Sequence, residues 1–427
     1  MTTKKLAVGI VILLIIAVAA GCVAMTQFKD DKKKEQTEAP AEEEVVEEPE
    51  PEPIVNPLTG SFDFDEETTH QRVVGFVVEN AQPARPQVGM DDEKYPPDII
   101  VEGEVEGGIS RMFWMFADYN KLPETIGPMR SARPPFIRFA AMFDSYFIHW
   151  GMSHTEGGYI GANTVFRRYN TDHIDQMHFA NESNLYFRDY SLGQSQEHTG
   201  RVHGENVPAA LEEADFRTEP KERTKLKWRE ENGPVGKKTA DEVTVTFSNR
   251  SGNTHWVYDK EKNVYKTDSF RNNTTRDNLI ILTDKTRYVT NAIYLGHGVT
   301  YCDYLMKGGK GYVISNGTWT KIKWRRDGQK LILYKEKKTK IPKTEDEIAA
   351  DRAAAEAEGK DPDKVKDYNV EVTETEYELN RGRSWIGWIS RNNGGKVDIK
   401  GHKVEKDEDK DKEKTEDSGE SEDSSEA

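Results

Sequence analysis

The chain has 427 residues, 60 of them Lys or Arg and 76 Asp or Glu, for a formal net charge of −16. That balance argues against a nucleic-acid binder, whose footprint would be a basic face. Its two cysteines, Cys22 and Cys302, offer no disulfide framework and no Cys/His spacing for structural zinc.

The N-terminus is the most informative segment. Met1 to Lys5 carry two lysines, Leu6 to Ala20 are all apolar or Gly, and Cys22 follows Gly21. A basic head, an apolar core and small residues before a cysteine predict a lipoprotein signal peptide over residues 1–21, with acyl chains on Cys22. Ala19 stands where a bulkier Leu is usual. The rival reading is an uncleaved anchor helix over residues 6–25, about long enough to cross a bilayer. Either reading attaches the chain to the cell membrane and places its bulk on the extracytoplasmic face.

Residues 22–55 read as a Pro/Glu-rich stalk, in which residues 28–53 hold eleven acids against four lysines. Residues 403–427 read as an acidic tail with twelve acids against five lysines. Neither has enough apolar surface to offset chain entropy, so both are expected to stay disordered. Residues 57–402 keep only about −4 of the net charge, so the acidity sits in the solvated ends.

These residues exceed one ordinary core, and two domains are predicted. Residues 72–78 (RVVGFVV), 99–105 and 111–119 (RMFWMFADY) read as strands, the last two joined by a turn at Gly107-Gly108. Pro134-Pro135 opens a helix through Met142, because proline in the first turn gives up no internal hydrogen bond. Residues 145–150 form a further strand, closed by Gly151. This predicts an N-terminal α/β domain with a mixed sheet over 56–215. A charged boundary linker at 216–240 precedes a smaller, β-rich α+β C-terminal domain over 241–402. Within it, Thr344 and Glu347 form a capping box that opens an Ala/Glu-rich surface helix at 344–359.

Several residues could carry chemistry. Glu102, Glu104 and Glu106 alternate on one strand and so share a face, which predicts a raised pKa for at least one. A general acid for glycoside cleavage needs such a group, and Glu106 and Glu102 are the candidates. A solvated face neutralised by Lys and Arg is the plainer alternative. Arg85, Arg111, Arg130, Arg133 and Arg138 crowd the same region, suiting either carboxylate recognition or internal ion pairs. The three-residue spacing predicts Arg130 and Arg133 on one side of a helical turn. His149 ends a strand, where open α/β sheets place ligands. Gly151-Met-Ser153-His-Thr155 approaches a nucleophile elbow but lacks its second Gly, and favours a capping role for the Ser or Thr. Arg188, Asp189, Glu197 and His198 add a later charged cluster. Trp319, Trp324 and Trp385 could form a recognition surface, though core packing suits their apolar setting better. No phosphate loop, HExxH or paired CxxC occurs, so no cofactor is expected and no metal site is assigned, although Glu, Asp and His without diagnostic spacing leave metal dependence open.

Asn56-Pro-Leu-Thr-Gly60, Ala84-Arg-Pro-Gln87, the 101–111 segment, Gly127-Pro-Met-Arg-Ser-Ala-Arg133, Phe187-Arg-Asp189 and Arg383-Ser-Trp-Ile386 occur in this order. Together they resemble the YerB-like lipoprotein family. The resemblance implies adjoining N- and C-terminal domains of unknown biochemical function in bacterial cell envelopes. Glu104 and the insertion at 344–368 depart from the family pattern, which leaves Glu102 and Glu106 as the matched pair. The family's histidine-glycine-glycine-serine block reads His149-Trp-Gly-Met-Ser153 here, which weakens a catalytic serine further.

Two readings follow. One is an envelope enzyme that cleaves or remodels peptidoglycan glycan, with Glu106 or Glu102 as acid, His149 assisting, and Arg85, Arg111, Arg130, Arg133, Arg188, Asp189 and His198 binding substrate. The other is a non-catalytic lipoprotein that binds wall polymer or scaffolds a membrane-bound wall-synthesis protein. A small-ligand receptor for an importer is a third, weaker fit.

Overall fold

The computed structural model describes residues 54–402, apart from residues 63, 295 and 296. The signal segment with Cys22, nearly all of the stalk, and the tail fall outside the described residues.

A twelve-stranded mixed sheet organises the chain. Its strands are β1 (Val74–Glu79), β2 (Ile99–Glu104), β3 (Ser110–Phe116), β4 (Tyr146–His149), β5 (His173–Asp175), β6 (Asn278–Asp284), β7 (Gly308–Ser315), β8 (Thr318–Asp327), β9 (Lys330–Pro342), β10 (Tyr368–Glu376) and β11 (Ser384–Ser390). They lie in the order β10-β9-β8-β7-β6-β11-β2-β3-β1-β4-β5, with Lys238–Thr239 added beside β8. Strand β11 pairs in parallel with β6 on one side and with β2 on the other. The two halves expected to fold as separate domains therefore meet in one sheet. The join is sealed by a strand from near the end of the described chain.

Both faces of the central part of the sheet are covered, whereas the outer strands β9 and β10 are largely exposed. Helix α1 (Pro134–Met142) spans the predicted residues, and all but one of its side chains are buried. With α2 (Ala162–Tyr169) it packs Phe136, Ile137, Phe139, Val165 and Phe166 against Val101, Phe113, Met115 and Trp388. A five-stranded antiparallel sheet, including Glu242–Thr246 and Asn253–Asp259, covers the other face. It brings Val243, Val245 and Trp256 against Ile100, Ile281 and Trp385. Each fully buried large side chain contributes roughly 1.5–3 kcal/mol, so the chain needs no covalent staple. Trp324 and Trp385 are core residues, 1 % and 0 % exposed, rather than a recognition surface. Helix α3 (Glu345–Ala357) begins at Thr344 with both capping-box hydrogen bonds in place, buries no residue, and bridges β9 to β10 as a surface insertion.

The Glu triplet divides. Glu102 and Glu104 face the second sheet from β2, whereas Glu106 lies past the end of the strand. Glu102 is sealed in the join. It accepts hydrogen bonds from Asn80 Nδ2 (2.7 Å), Ser110 Oγ (2.7 Å), Thr254 Oγ1 (3.0 Å) and Trp385 Nε1 (3.1 Å). Burial raises its pKa; the cause is the enclosure and not, as the alternation of acids suggested, a neighbouring carboxylate. Asn80 is held in turn by Gln87 Nε2 (2.8 Å) and Arg85 Nε (3.2 Å). Arg85 also donates to the Ser269 carbonyl, which ties it across the join and away from any substrate. Replacing Glu102 with Leu strands four buried donors. We expect it to lower unfolding stability by about 3 kcal/mol or more in urea titrations. Glu104→Gln, which keeps an acceptor for Tyr288, should cost less.

Candidate functional site

Local geometry separates Arg130 from Arg133. The segment before α1 is extended: Met129 bridges to Val78, Ala132 bridges to Met152, and Arg133 has φ −130° and ψ 146°. In this backbone the two side chains diverge, so the expected helical turn gives way to two separate sites. Arg133 forks onto Glu106, with Nε 2.7 Å from Oε2 and Nη2 2.5 Å from Oε1. Arg111 Nη2 adds a third contact at 2.9 Å, and its Nη1 donates to the Ser131 carbonyl at 2.8 Å. Burial would raise the Glu106 pKa, but Arg111 and then Arg133 outweigh it and hold the carboxyl far below the usual range. Glu106 thus has no proton to give at neutral pH, contrary to the role of general acid. Arg138 is likewise absorbed by Asp303.

His149 is also committed. It is fully buried, with Nδ1 2.7 Å from the Gly151 carbonyl and Nε2 3.0 Å from His173 Nδ1. A carbonyl only accepts, so Nδ1 carries the proton and Nε2 receives the His173 N–H. Burial lowers the His149 pKa to about 3, and burial with the neighbouring His149 lowers that of His173 to about 4. Ser153 is buried, hydrogen-bonded to Tyr159 Oη (3.0 Å) and to the first N–H of α2 (3.1 Å). It serves helix capping rather than attack.

The open cleft begins one residue later. It lies beyond the C-terminal ends of the parallel strands β1, β4 and β5, encloses about 440 Å³, and receives Arg130, Trp150, His154, Met177, His178, Arg188 and Glu197. This is the edge at which open α/β sheets bind ligands. Asp175 builds the rim: its Oδ1 accepts the Gly151 N–H (2.6 Å) and the Met177 N–H (3.2 Å), fixing both turns that leave the sheet. Gly151 takes φ +75°, a conformation that favours glycine. A Cβ at Gly200 would stand 2.7 Å from the Trp150 ring, so glycine there lets the indole form the wall.

Two guanidiniums flank the opening. Arg130 pairs through Nε with the buried Glu79 and donates from Nη1 to the Glu197 carbonyl (3.0 Å) and from Nη2 to Glu197 Oε2 (3.3 Å). Arg188 sits 4.6 Å above the Trp150 ring and uses Nη1 on the Gln196 carbonyl (2.5 Å) and Thr199 Oγ1 (3.0 Å). Asp189 lies 3.9 Å from Arg201 Nε, and His198 is 5 % exposed behind the rim. Of the predicted site residues, the structure brings Arg130 and Arg188 to this cleft, while Arg85, Glu102, Glu106, Arg111, Arg133 and His149 are built into the framework. Trp150, Asp175, Met177 and His178 were not foreseen. Trp150 stood at the end of the predicted 145–150 strand, whereas the signal for Asp175, Met177 and His178 was the short strand at residues 173–175, hidden in a polar stretch.

A second cleft of about 490 Å³ lies under the turn at Asn56–Gly60. There Asp98 accepts from Ala117 N (2.7 Å) and Asn56 Nδ2 (3.2 Å), and Asp277 accepts from Arg383 N (2.8 Å). Those carboxylates anchor the first and last family-like segments, which gives both motifs a structural role. Among the described residues no group of His, Cys, Asp or Glu has the geometry to hold a metal ion.

Within this mixed-sheet fold, residues 58–217 match the family model described as "Protein of unknown function (DUF3048) N-terminal domain". The chain is similar to the YerB protein in sequence and in fold. It is 26 % identical over 294 residues to "Putative lipoprotein YerB" of Bacillus subtilis (strain 168), covering 66 % of this chain and 81 % of that one. The crystal structure of YerB from Bacillus subtilis shares the fold, with a TM-score of 0.57 at 20 % identity over 81 % of this chain and 99 % of the other.

Two pH effects follow from the buried groups. The folded-state pKa values of His149 and His173 lie below the ordinary 6.5, so stability is full above pH 6.5 and falls as pH drops towards 4. A single such histidine costs about 2 kcal/mol at pH 5. Urea midpoints should therefore decline over this range, and less steeply in His149→Phe. Glu106 contributes the depressed-carboxylate case, with stability present above about pH 4.5 and lost on further acidification. Glu106→Gln should lower stability at pH 7 by about 3 kcal/mol, because two buried guanidiniums lose their charge partner.

Proposed function

We propose that the chain is a membrane-anchored envelope lipoprotein that binds a carboxylate-bearing cell-wall fragment in the Arg130–Arg188 cleft without cleaving it. The carrying observation is Arg188. Its Nη1 is spent on the 196–199 turn, while Nε and Nη2 have no protein partner among the described residues. The guanidinium also lies on an indole face, so a fork for a carboxylate and an aromatic wall for a sugar or peptide stand together. Met129, Met152 and Met177 supply an adaptable apolar lining. The lactyl and peptide carboxylates of peptidoglycan have the complementary chemistry. Binding is preferred to glycan cleavage because Glu106 is held ionised by two arginines, Glu102 is enclosed between sheets and His149 is neutral.

Incubation of the detergent-solubilised full chain with purified peptidoglycan tests this. Expected results are co-sedimentation, no new reducing or anhydro sugar ends by mass spectrometry, and an affinity loss on the order of tenfold in Arg188→Ala with its melting temperature unchanged. New sugar ends would reinstate a glycan-cleaving enzyme. Unchanged affinity in Arg188→Ala would remove the cleft from the binding function.

A further inference from the structure

On the far side of the sheet from β5, strands β7, β8 and β9 present a groove of about 800 Å³ lined with lysines. The register pairs Lys310 with Lys323 and Tyr312 with Lys321, and Lys323 with Tyr334. Side chains alternate along a strand, so Lys310, Tyr312, Lys321, Lys323, Glu336 and Lys338 share one face. Glu336 is the only acid lining the groove, and it is already bound to Lys323 Nζ. No ion pair reaches Lys310, Lys321 or Lys338 among the described residues, and all three are exposed. Glu374 and Glu376 of β10 share this face, but Glu374 is bound to Arg325 as Glu336 is to Lys323, so Lys310, Lys321 and Lys338 are left without an ion-pair partner among the described residues.

We propose that the counter-charge is the chain's own acidic C-terminal segment, residues 403–427, docked in this groove. Three observations converge. The segment carries twelve acids against five lysines. It leaves the fold at His402, whose N–H donates to Asp241 Oδ2 (2.6 Å) and whose carbonyl accepts from Thr239 Oγ1 (2.7 Å). Thr239 pairs with Thr318 at the start of β8, three residues from Lys321. That separation is about 10 Å along a strand, whereas 25 extended residues reach roughly 80 Å. Tethering supplies the acids at an effective concentration on the order of millimolar. An anionic membrane fits the same face less well. The β9–β10 arm ends in α3, whose first turn holds Glu345, Asp346 and Glu347 and would be repelled.

Zero-length carbodiimide cross-linking of the full chain, mapped by mass spectrometry, is the test. Links from Lys310, Lys321 or Lys338 to acids within 405–426 are expected at low salt and should vanish in about 0.5 M NaCl, where the Debye length is a few ångströms. They should also vanish in Lys321→Glu/Lys338→Glu, with circular dichroism unchanged. Tripolyphosphate should bind a chain ending at His402 on the order of tenfold more tightly than the full chain, since the groove is then vacant. Links running instead to acids within 30–52, or no links, would overturn the proposal. Equal tripolyphosphate affinity in both chains would also overturn it, leaving a groove that serves a separate anionic partner.

Discussion

The fold depends on one strand. β11 lies between β2 and β6 and pairs in parallel with both, so seven residues near position 387 join segments near 100 and 280. Its side chains serve both layers: Trp388 packs among the helices and Trp385 among the residues of the second sheet. The indole of Trp385 then donates to Glu102, so the apolar join carries a polar lock at its centre. An unpaired carboxylate would be costly there, and the four donors around Glu102 are what make its burial tolerable.

Around that lock, charge is used for construction. Arg111 and Arg133 neutralise Glu106, Arg85 links Asn80 to the Ser269 carbonyl across the join, and Arg138 pairs with Asp303. Arginine suits these positions because its planar fork meets a carboxylate with two parallel donors and it keeps its charge on burial. The cleft at the strand ends differs in kind. Its groups are only half used by the protein, its walls include exposed His154, Met177 and His178, and both rim arginines hold the same turn, residues 196–199. Framework and cleft thus draw on one residue type for opposite purposes.

Local patterns were legible in the sequence where one physical rule acts alone. The Pro134-Pro135 helix start and the Thr344–Glu347 capping box appear where steric and hydrogen-bonding rules place them. Apolar runs such as residues 72–78 and 111–119 marked strands to within a few residues. The join was not legible, because nothing in residues 384–390 names residues 99–104 as their neighbour. The candidate cleft was legible in part: it opens at the end of the His149 strand, but His149 itself turns inward against Phe166 and His173. The spacing of Arg130 and Arg133 misled for a definite reason. A three-residue interval brings side chains together only in a helix, and this one begins at Pro134.

The position of β11 also sets an order of events during synthesis. A chain that emerges from the ribosome N-terminus first presents β1, β2 and β3 long before residue 384 exists. Until then β2 is an open sheet edge with Glu102 short of its Trp385 and Thr254 partners. Such edges invite pairing with other chains, and closing a loop of this length is entropically slow. The N-terminal half thus keeps an unfinished sheet edge until the strand at residues 384–390 is in place.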